Sequence, residues 1–348
     1  MPWSKIKPEL NEPDYHLESD ENVRRIAYHE AIREALDQAL EVDPRVFVMG
    51  QGVDDPGAMF GTTLNLHKKY GNQRVFDTAL AENALTGISI GAAIGGMRPV
   101  YFHNRPDFLL LTMDQLVNHA SKWYYMFGGA VNVPLVVWAC IGRGWGSAAQ
   151  HSQALQGLFM HIPGLKLIMP STCYDAKGLM LSAVADNNPV LIIEHRLNFR
   201  NKGFVPEAPF RVPIGKGIIR KQGKDITFVA ISHMVTEAYK AAEELSKEGI
   251  EAEVIDLRTL RPLDEEIILR SVSKTGCLVI ADCGWKTGGI TAEISALVAE
   301  KGFELLKAPI RRVACPDVPT PSGFTLEEAF YVGSNDILNA AREILQIR

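Results

Sequence analysis

Long apolar runs are missing from this 348-residue chain: no stretch of about 18 uninterrupted apolar residues occurs, so no membrane span is expected. Paired cysteines are missing too. Cys140, Cys173, Cys277, Cys283 and Cys315 include no CxxC, and their odd number argues against a disulfide framework. Cys140 and Cys277 lie in strand-like apolar runs, where a reduced thiol behaves as a small hydrophobe. A reducing compartment is therefore expected: the cytoplasm, or an organelle matrix after removal of a transit peptide. HExxH and paired Cys/His clusters are absent, which removes the common metal-ligand spacings. GxxxxGK[ST] and GxGxxG are absent as well, excluding the P-loop and the Rossmann fingerprint. A formal net charge of -5 is too small to suggest a basic nucleic-acid surface or a polybasic membrane contact. The start is rich in Pro, Glu and Asp and has no apolar secretory core, so residues 1–22 read as a polar arm.

What is present is the composition of an ordinary globular protein, 47% hydrophobic and 22% charged, long enough for about two domains. Strands and helices alternate. Ile26, Ala27, Ala31, Ile32, Ala35, Leu36 and Ala39 predict a helix from near Val23, broken at Asp43-Pro44. Strands are predicted at Val46–Met49, Arg74–Phe76, Arg98–Phe102, Val133–Cys140, Leu165–Met169 and Val190–Glu194. Helices are predicted over 83–97, Met113–Phe127 and Tyr174–Ala185. Apolar strands alternating with helices imply a largely parallel sheet covered on both faces, an α/β fold. Residues 196–224, with Asn198, Asn201, Gly203, Pro206, Pro209, Pro213 and Gly215, read as a linker with short extended pieces. The alternation resumes beyond it. The expected organisation is one domain over 23–200 and a smaller α/β domain over 205–348.

Open parallel sheets bind ligands at the carboxyl ends of their strands, which directs attention to Gln51, 77–82, 103–108 and 142–153. Glu82 is either an acid in a first helical turn, favoured by the helix dipole, or a buried carboxylate able to share a proton with a ligand nitrogen. His151, in Gln150-His151-Ser152-Gln153, is either a polar packing residue or a proton-transfer group. Phe108 is either a core aromatic or a flat face for a ring. The Gly142–Gly146 loop is only a weak phosphate signal.

In order along the chain stand Tyr70-Gly71, Arg74-Val75-Phe76-Asp77-Thr78, Glu82, Gly91-Ala92-Ala93, Arg98-Pro99-Val100 and Met113-Asp114-Gln115. Tyr125-Met126-Phe127-Gly128-Gly129, Gln150-His151-Ser152-Gln153, Pro163-Gly164-Leu165-Lys166, Asp175-Ala176-Lys177-Gly178-Leu179, Asp256-Leu257-Arg258-Thr259-Leu260 and Pro262-Leu263-Asp264 follow. From about residue 23 onward this series resembles the beta subunit of the decarboxylating component of pyruvate and branched-chain 2-oxo acid dehydrogenases. The resemblance implies a transketolase-like, parallel-sheet pyrimidine-binding domain followed by a smaller C-terminal α/β domain. It implies thiamine diphosphate as cofactor, with Glu82 bonded to N1′ of the aminopyrimidine, Phe108 stacked on that ring and Leu80 as its apolar neighbour. His151 matches the histidine that contacts substrate and assists acyl transfer to lipoamide. Leu135, Ala183, Val184, Asp186 and Asn188 match a potassium site built mainly from backbone carbonyls; a plain helix terminus is the other reading there. Enzymes of this kind hold Mg²⁺ and the diphosphate with Gly-Asp-Gly and a following Asn. That motif does not occur in this chain, so the resemblance places both on an alpha subunit, in an α2β2 heterotetramer served by a lipoyl acyltransferase core.

Two departures stand out: Gly50-Gln51-Gly52-Val53 lacks the family's carboxylate at position 51, and His103-Asn104-Arg105-Pro106-Asp107-Phe108 adds a cation. The expected activity is decarboxylation of a small 2-oxo acid such as pyruvate. A split transketolase-like ketol or acyl transferase and a non-catalytic regulatory subunit are the alternatives.

Overall fold

The computed structural model describes residues 2–8, 23–58, 60–144 and 146–346, so most of the polar arm lies outside the described residues. The chain divides into two compact units, Met1–Ile141 with Phe159–Ile214, and Gly142–Leu158 with Gly215–Arg348.

The first unit contains strands β1 (Arg25–Ala27), β2 (Val46–Gly50), β3 (Val75–Asp77), β4 (Arg98–His103), β5 (Val136–Ile141), β6 (Lys166–Ile168), β7 (Val190–His195) and β8 (Lys202–Phe204). Between them come helices α1 (Tyr28–Val42), α2 (Leu66–Tyr70), α3 (Glu82–Ile94), α4 (Pro106–Leu109), α5 (Trp123–Met126) and α7 (Cys173–Ala185), while α6 (Gln156–Met160) begins in residues of the second unit and ends in the first. Strands β6-β7-β5-β4-β2-β3 lie side by side in that order, all parallel. Every residue of β2, β4, β5 and β7 is buried, as in a parallel sheet covered on both faces. On one face Ile32 and Leu36 of α1 and Leu179 and Ala183 of α7 pack on Val48, Val100, Phe102 and Trp138. Each such large side chain stabilises the fold by roughly 1.5–3 kcal/mol.

Local chemistry sets the ends. Helix α1 begins at Tyr28, later than its apolar spacing suggests, because the Ala27 N–H is captured by Glu30 Oε2 (2.8 Å) and residues 25–27 pair with β8. Trp3, near the start of the arm, is buried and donates through Nε1 to Asp43 Oδ2 (2.9 Å) beyond the end of α1. The linker is pinned by Lys177. Its wholly buried ammonium binds Glu34 Oε1 (2.6 Å) and the carbonyls of Pro206, Glu207 and Ala208.

The expected helix over Met113–Phe127 is broken instead: a 3-10 turn at Leu110–Thr112, a π turn at Gln115–Ala120, then α5. Within it the Ser121 N–H reaches back five residues to the Leu116 carbonyl (3.1 Å).

The second unit holds β9 (Ile218–Lys221), β10 (Ile226–Ala230), β11 (Ala252–Asp256), β12 (Thr259–Arg261), β13 (Leu278–Trp285) and β14 (Arg311–Cys315). Its helices are α8 (His233–Lys247), α9 (Glu265–Thr275), α10 (Ile290–Lys301), α11 (Phe324–Phe330) and α12 (Ser334–Gln346). The sheet order is β14-β13-β10-β11-β9, parallel except for edge strand β9. The expected first domain ran through 142–158, but these residues group with the second unit. Gln156 Nε2 donates to buried Asp282 Oδ1 (2.7 Å), and the Arg143 guanidinium lies 4.2 Å from the Tyr331 ring centre.

Candidate active site

The order of the first sheet reverses direction at β3 and again at β6. From β2 the chain steps outward to β3, then returns to the other side of β2 as β4. The crevice outside the carboxyl ends of β2 and β4 is thus a topological switch point, where open α/β sheets bind ligands.

Glycine makes that crevice possible. At Gly50, where φ is +149°, an added Cβ would lie 2.5 Å from the Phe102 carbonyl oxygen on β4. The close approach lets Gln51 cross the end of β4, where Asn104 Nδ2 donates to Gln51 Oε1 (3.0 Å). On its other side the Gly52 N–H donates to Asp77 Oδ1 (2.6 Å) at the end of β3. Gln51 Nε2 in turn faces Glu82 Oε1 at 3.5 Å.

Glu82 is the first residue of α3 and is half-buried, at the helix end that favours a negative charge. Leu80, two residues earlier, is 79% exposed. Phe108 is half-buried on α4, whose first position is Pro106, where a missing N–H costs nothing. Around the crevice, Thr78 Oγ1, Tyr101 Oη and Asn104 Oδ1 are buried and, among the described residues, without a hydrogen-bond partner. Burial, then the nearby Glu82 carboxylate, raises the Tyr101 phenol well above its ordinary value. The His103 ring packs against Tyr101 (centroids 4.1 Å apart), and burial holds it down to about 3, a neutral imidazole at any physiological pH.

This set suits an aminopyrimidine: a carboxylate acceptor, unsatisfied polar atoms beside it, an exposed leucine and an aromatic face. Gln51, Glu82 and Asn104 are joined by hydrogen bonds, and Leu80 and Phe108 stand on the segments that carry them. Asn104, Tyr101 and Thr78 were not singled out from sequence. The only signal for Asn104 was its place in the unusual 103–108 stretch.

His151 belongs to the second unit, on an exposed turn whose N–H bonds the Ala148 carbonyl (3.4 Å). Its neighbour Ser152 is buried.

Leu135, Ala183, Val184, Asp186 and Asn188 come together at the start of β5, the end of α7 and the turn before β7. Their acceptors are already engaged in part: Leu135 O by the Val190 N–H (2.9 Å) and Ala183 O by the Asp186 N–H (3.2 Å). Buried Arg98 donates to Val184 O (2.9 Å) and Asp186 O (2.8 Å), and Lys166 pairs with the Asp186 carboxylate. Asn188 Oδ1 is buried with no partner among the described residues, and each carbonyl keeps a second lone pair, so an oxygen-liganded monovalent cation fits. Among the described residues no group of three or more His, Cys, Asp or Glu side chains could hold a metal.

Known proteins place this architecture. Residues 24–202 match the transketolase pyrimidine-binding domain and residues 215–337 the transketolase C-terminal domain. A solved structure described as a split gene transketolase, inactive beta4 tetramer, superposes with a TM-score of 0.74 at 25% identity, covering 92% of this chain and 99% of that one. The fold is therefore transketolase-like, two α/β domains in series. The acetoin:2,6-dichlorophenolindophenol oxidoreductase subunit beta of Cupriavidus necator is 43% identical over 93% of this chain and 98% of its own length. The mitochondrial pyruvate dehydrogenase E1 component subunit beta of Bos taurus is 41% identical over 93% of this chain and 91% of its own. The chain belongs to the family of beta subunits of the 2-oxo acid dehydrogenases, members named as acetoin oxidoreductases included.

Proposed function

We propose that this chain supplies the pyrimidine-binding half of a thiamine-diphosphate-dependent active site that cleaves a small 2-oxo acid such as pyruvate and passes the acyl group to lipoamide. The observation that carries the proposal is Glu82, an acid at the first position of α3 beside the switch-point crevice and in reach of Gln51. Thiamine diphosphate, when bound, supplies a nucleophilic carbon and an electron sink for breaking the bond next to a substrate carbonyl. The chain's own part is to hold and orient. Glu82 takes up a proton shared with the pyrimidine N1′ atom, while Phe108 and Leu80 offer the ring apolar surface and keep water from it. His151 contacts substrate and moves a proton during acyl transfer. Leu135, Ala183, Val184, Asp186 and Asn188 hold a potassium ion that shares the Val184 and Asp186 carbonyls with Arg98. Mg²⁺ and the diphosphate are left to an alpha subunit in an α2β2 assembly, and the lipoyl acyltransferase core is the further partner. A cytoplasmic or organelle-matrix setting accords with five buried thiols, and no helix among the described residues is long and apolar enough to cross a membrane.

A second substrate reading is favoured by the 43%-identical relative named for acetoin, in which the bond next to the carbonyl joins two carbons that both bear oxygen. The chain, co-expressed with an alpha-type subunit and given thiamine diphosphate and Mg²⁺, would be assayed on pyruvate, a branched 2-oxo acid and acetoin. Lipoamide, an aldehyde and a dye would be compared as acceptors. Turnover of 2-oxo acids with lipoamide supports the proposal; acetoin turnover alone moves it to the second reading, and ketol transfer to the aldehyde alone ends both. In the same complex Glu82→Gln should assemble normally and lose activity on the order of a hundredfold or more. Turnover like the unchanged enzyme's would remove Glu82 from its role.

A further inference from the structure

The switch-point crevice is spanned by two amides, and their order fixes their polarity. Asn104 Nδ2 donates to Gln51 Oε1 at 3.0 Å, so the Gln51 amide must turn its NH₂ outward, towards Glu82 Oε1 at 3.5 Å. The segment carrying Gln51 is fixed on both sides: Gly50 lies against the Phe102 carbonyl, and the Gly52 N–H is held by Asp77. A glutamine so restrained loses little side-chain freedom on meeting its partner, and the NH₂ it presents can only donate. A donor favours the charged form of a carboxyl group, whereas a second carboxylate at the same place would force the two to share a proton.

We infer that Gln51 is a positioning residue for Glu82: the Asn104–Gln51 amide pair aims a hydrogen-bond donor at the Glu82 carboxyl and holds it in one orientation until the ring nitrogen of a ligand arrives. The inference rests on the role proposed for Glu82 above. Among the described residues, Tyr101 and His103 from β4 and Asp77 from β3 are titratable neighbours, and the charged Arg105 adjoins Asn104, to whose carbonyl it donates (2.8 Å). The first two are neutral by burial, and Asp77 is turned to Gly52.

The test reads the carboxyl group itself. Infrared spectra of the full chain without cofactor would be recorded across a pH series, with the Glu82 band assigned by difference against Glu82→Gln. In Gln51→Glu the protonated-carboxyl band should persist to a pH at least about one unit higher than in the unchanged chain, since two facing carboxyls retain one proton. Gln51→Leu and Asn104→Ala should move it in the same direction by less, and Asn104→Ala keeps the test alive if Gln51→Leu fails to fold. In the assembled complex, Gln51→Glu should shift the acid limb of the kcat profile in parallel. Bands and profiles that coincide with the unchanged protein in all three variants would overturn the inference. An active Glu82→Gln complex would instead overturn the proposed role of Glu82, whatever the infrared result.

Discussion

Glu194, one residue before the end of β7, is wholly buried, and the consequences of removing its charge can be worked out. Its Oε2 accepts from Trp138 Nε1 (2.7 Å), and its Oε1 lies 3.5 Å from the Tyr28 hydroxyl, which also reaches the Pro170 carbonyl at 3.3 Å. Burial raises the Glu194 carboxyl from its ordinary 4.5 to about 8, with the Trp138 and Tyr28 hydrogen bonds pulling the other way. A carboxyl group raised on folding contributes stability that is whole below about 4.5 and is lost as pH climbs through about 8. At about 1.4 kcal/mol per pH unit, the loss across that window is on the order of 4–5 kcal/mol. Glu194→Gln is near in shape and carries no charge; its carbonyl can accept from Trp138, and its NH₂ can donate to the Tyr28 oxygen. Urea unfolding of both proteins would be followed at intervals from about pH 5 to about pH 9. The variant should begin no more stable than the unchanged chain and overtake it as pH rises, with the difference changing by several kcal/mol. Parallel stability curves over the whole range would show that Glu194 is not stored as the acid, and the reasoning would fail.

Two further substitutions probe what holds the frame of the site. Gly164, with φ at +89°, lies so close to the Ser121 carbonyl oxygen that an added Cβ would sit on it; Gly164→Ala should cost about 2–5 kcal/mol, left-handed strain and overpacking together, read from the urea midpoint. A loss under about 1 kcal/mol would mean that the π turn yields freely. Arg98 is 4% exposed and donates to Val184 O, Asp186 O and Asn187 Oδ1, so Arg98→Met should cost about 3–5 kcal/mol by thermal or urea unfolding. An unchanged midpoint would mean that water or an ion satisfies those oxygens as well as the guanidinium does.

The parts of this molecule that sequence made legible are those whose cause is local. Apolar runs such as Val190–Ile193 became fully buried strands, and Ile32, Leu36 and Ala39 recur at helical spacing because α1 lays one stripe on the sheet. Glu82 opening a helix followed from its place after β3. What escaped is decided by pairs distant in the chain. Arg143 and Gln156 join the second unit through Tyr331 and Asp282, more than a hundred residues on, and no periodicity in 142–158 announces it. The π turn escaped for another reason: Leu116 and Ala120 are four apart, a spacing that does not separate a normal helical turn from a widened one.

Gln51 is legible from sequence only as an absence. Against the family pattern it is a missing carboxylate, which leaves no acid at that point for a proton path between active sites. Placed at the switch point, with Asn104 behind it and Glu82 before it, the same side chain is a donor of fixed direction. Exchanging a carboxylate for an amide there exchanges a proton-sharing neighbour for a charge-stabilising one. The two stretches noted in the sequence meet in the fold: an amide at 51 takes its direction from a donor behind it, and Asn104, from the 103–108 stretch, is that donor.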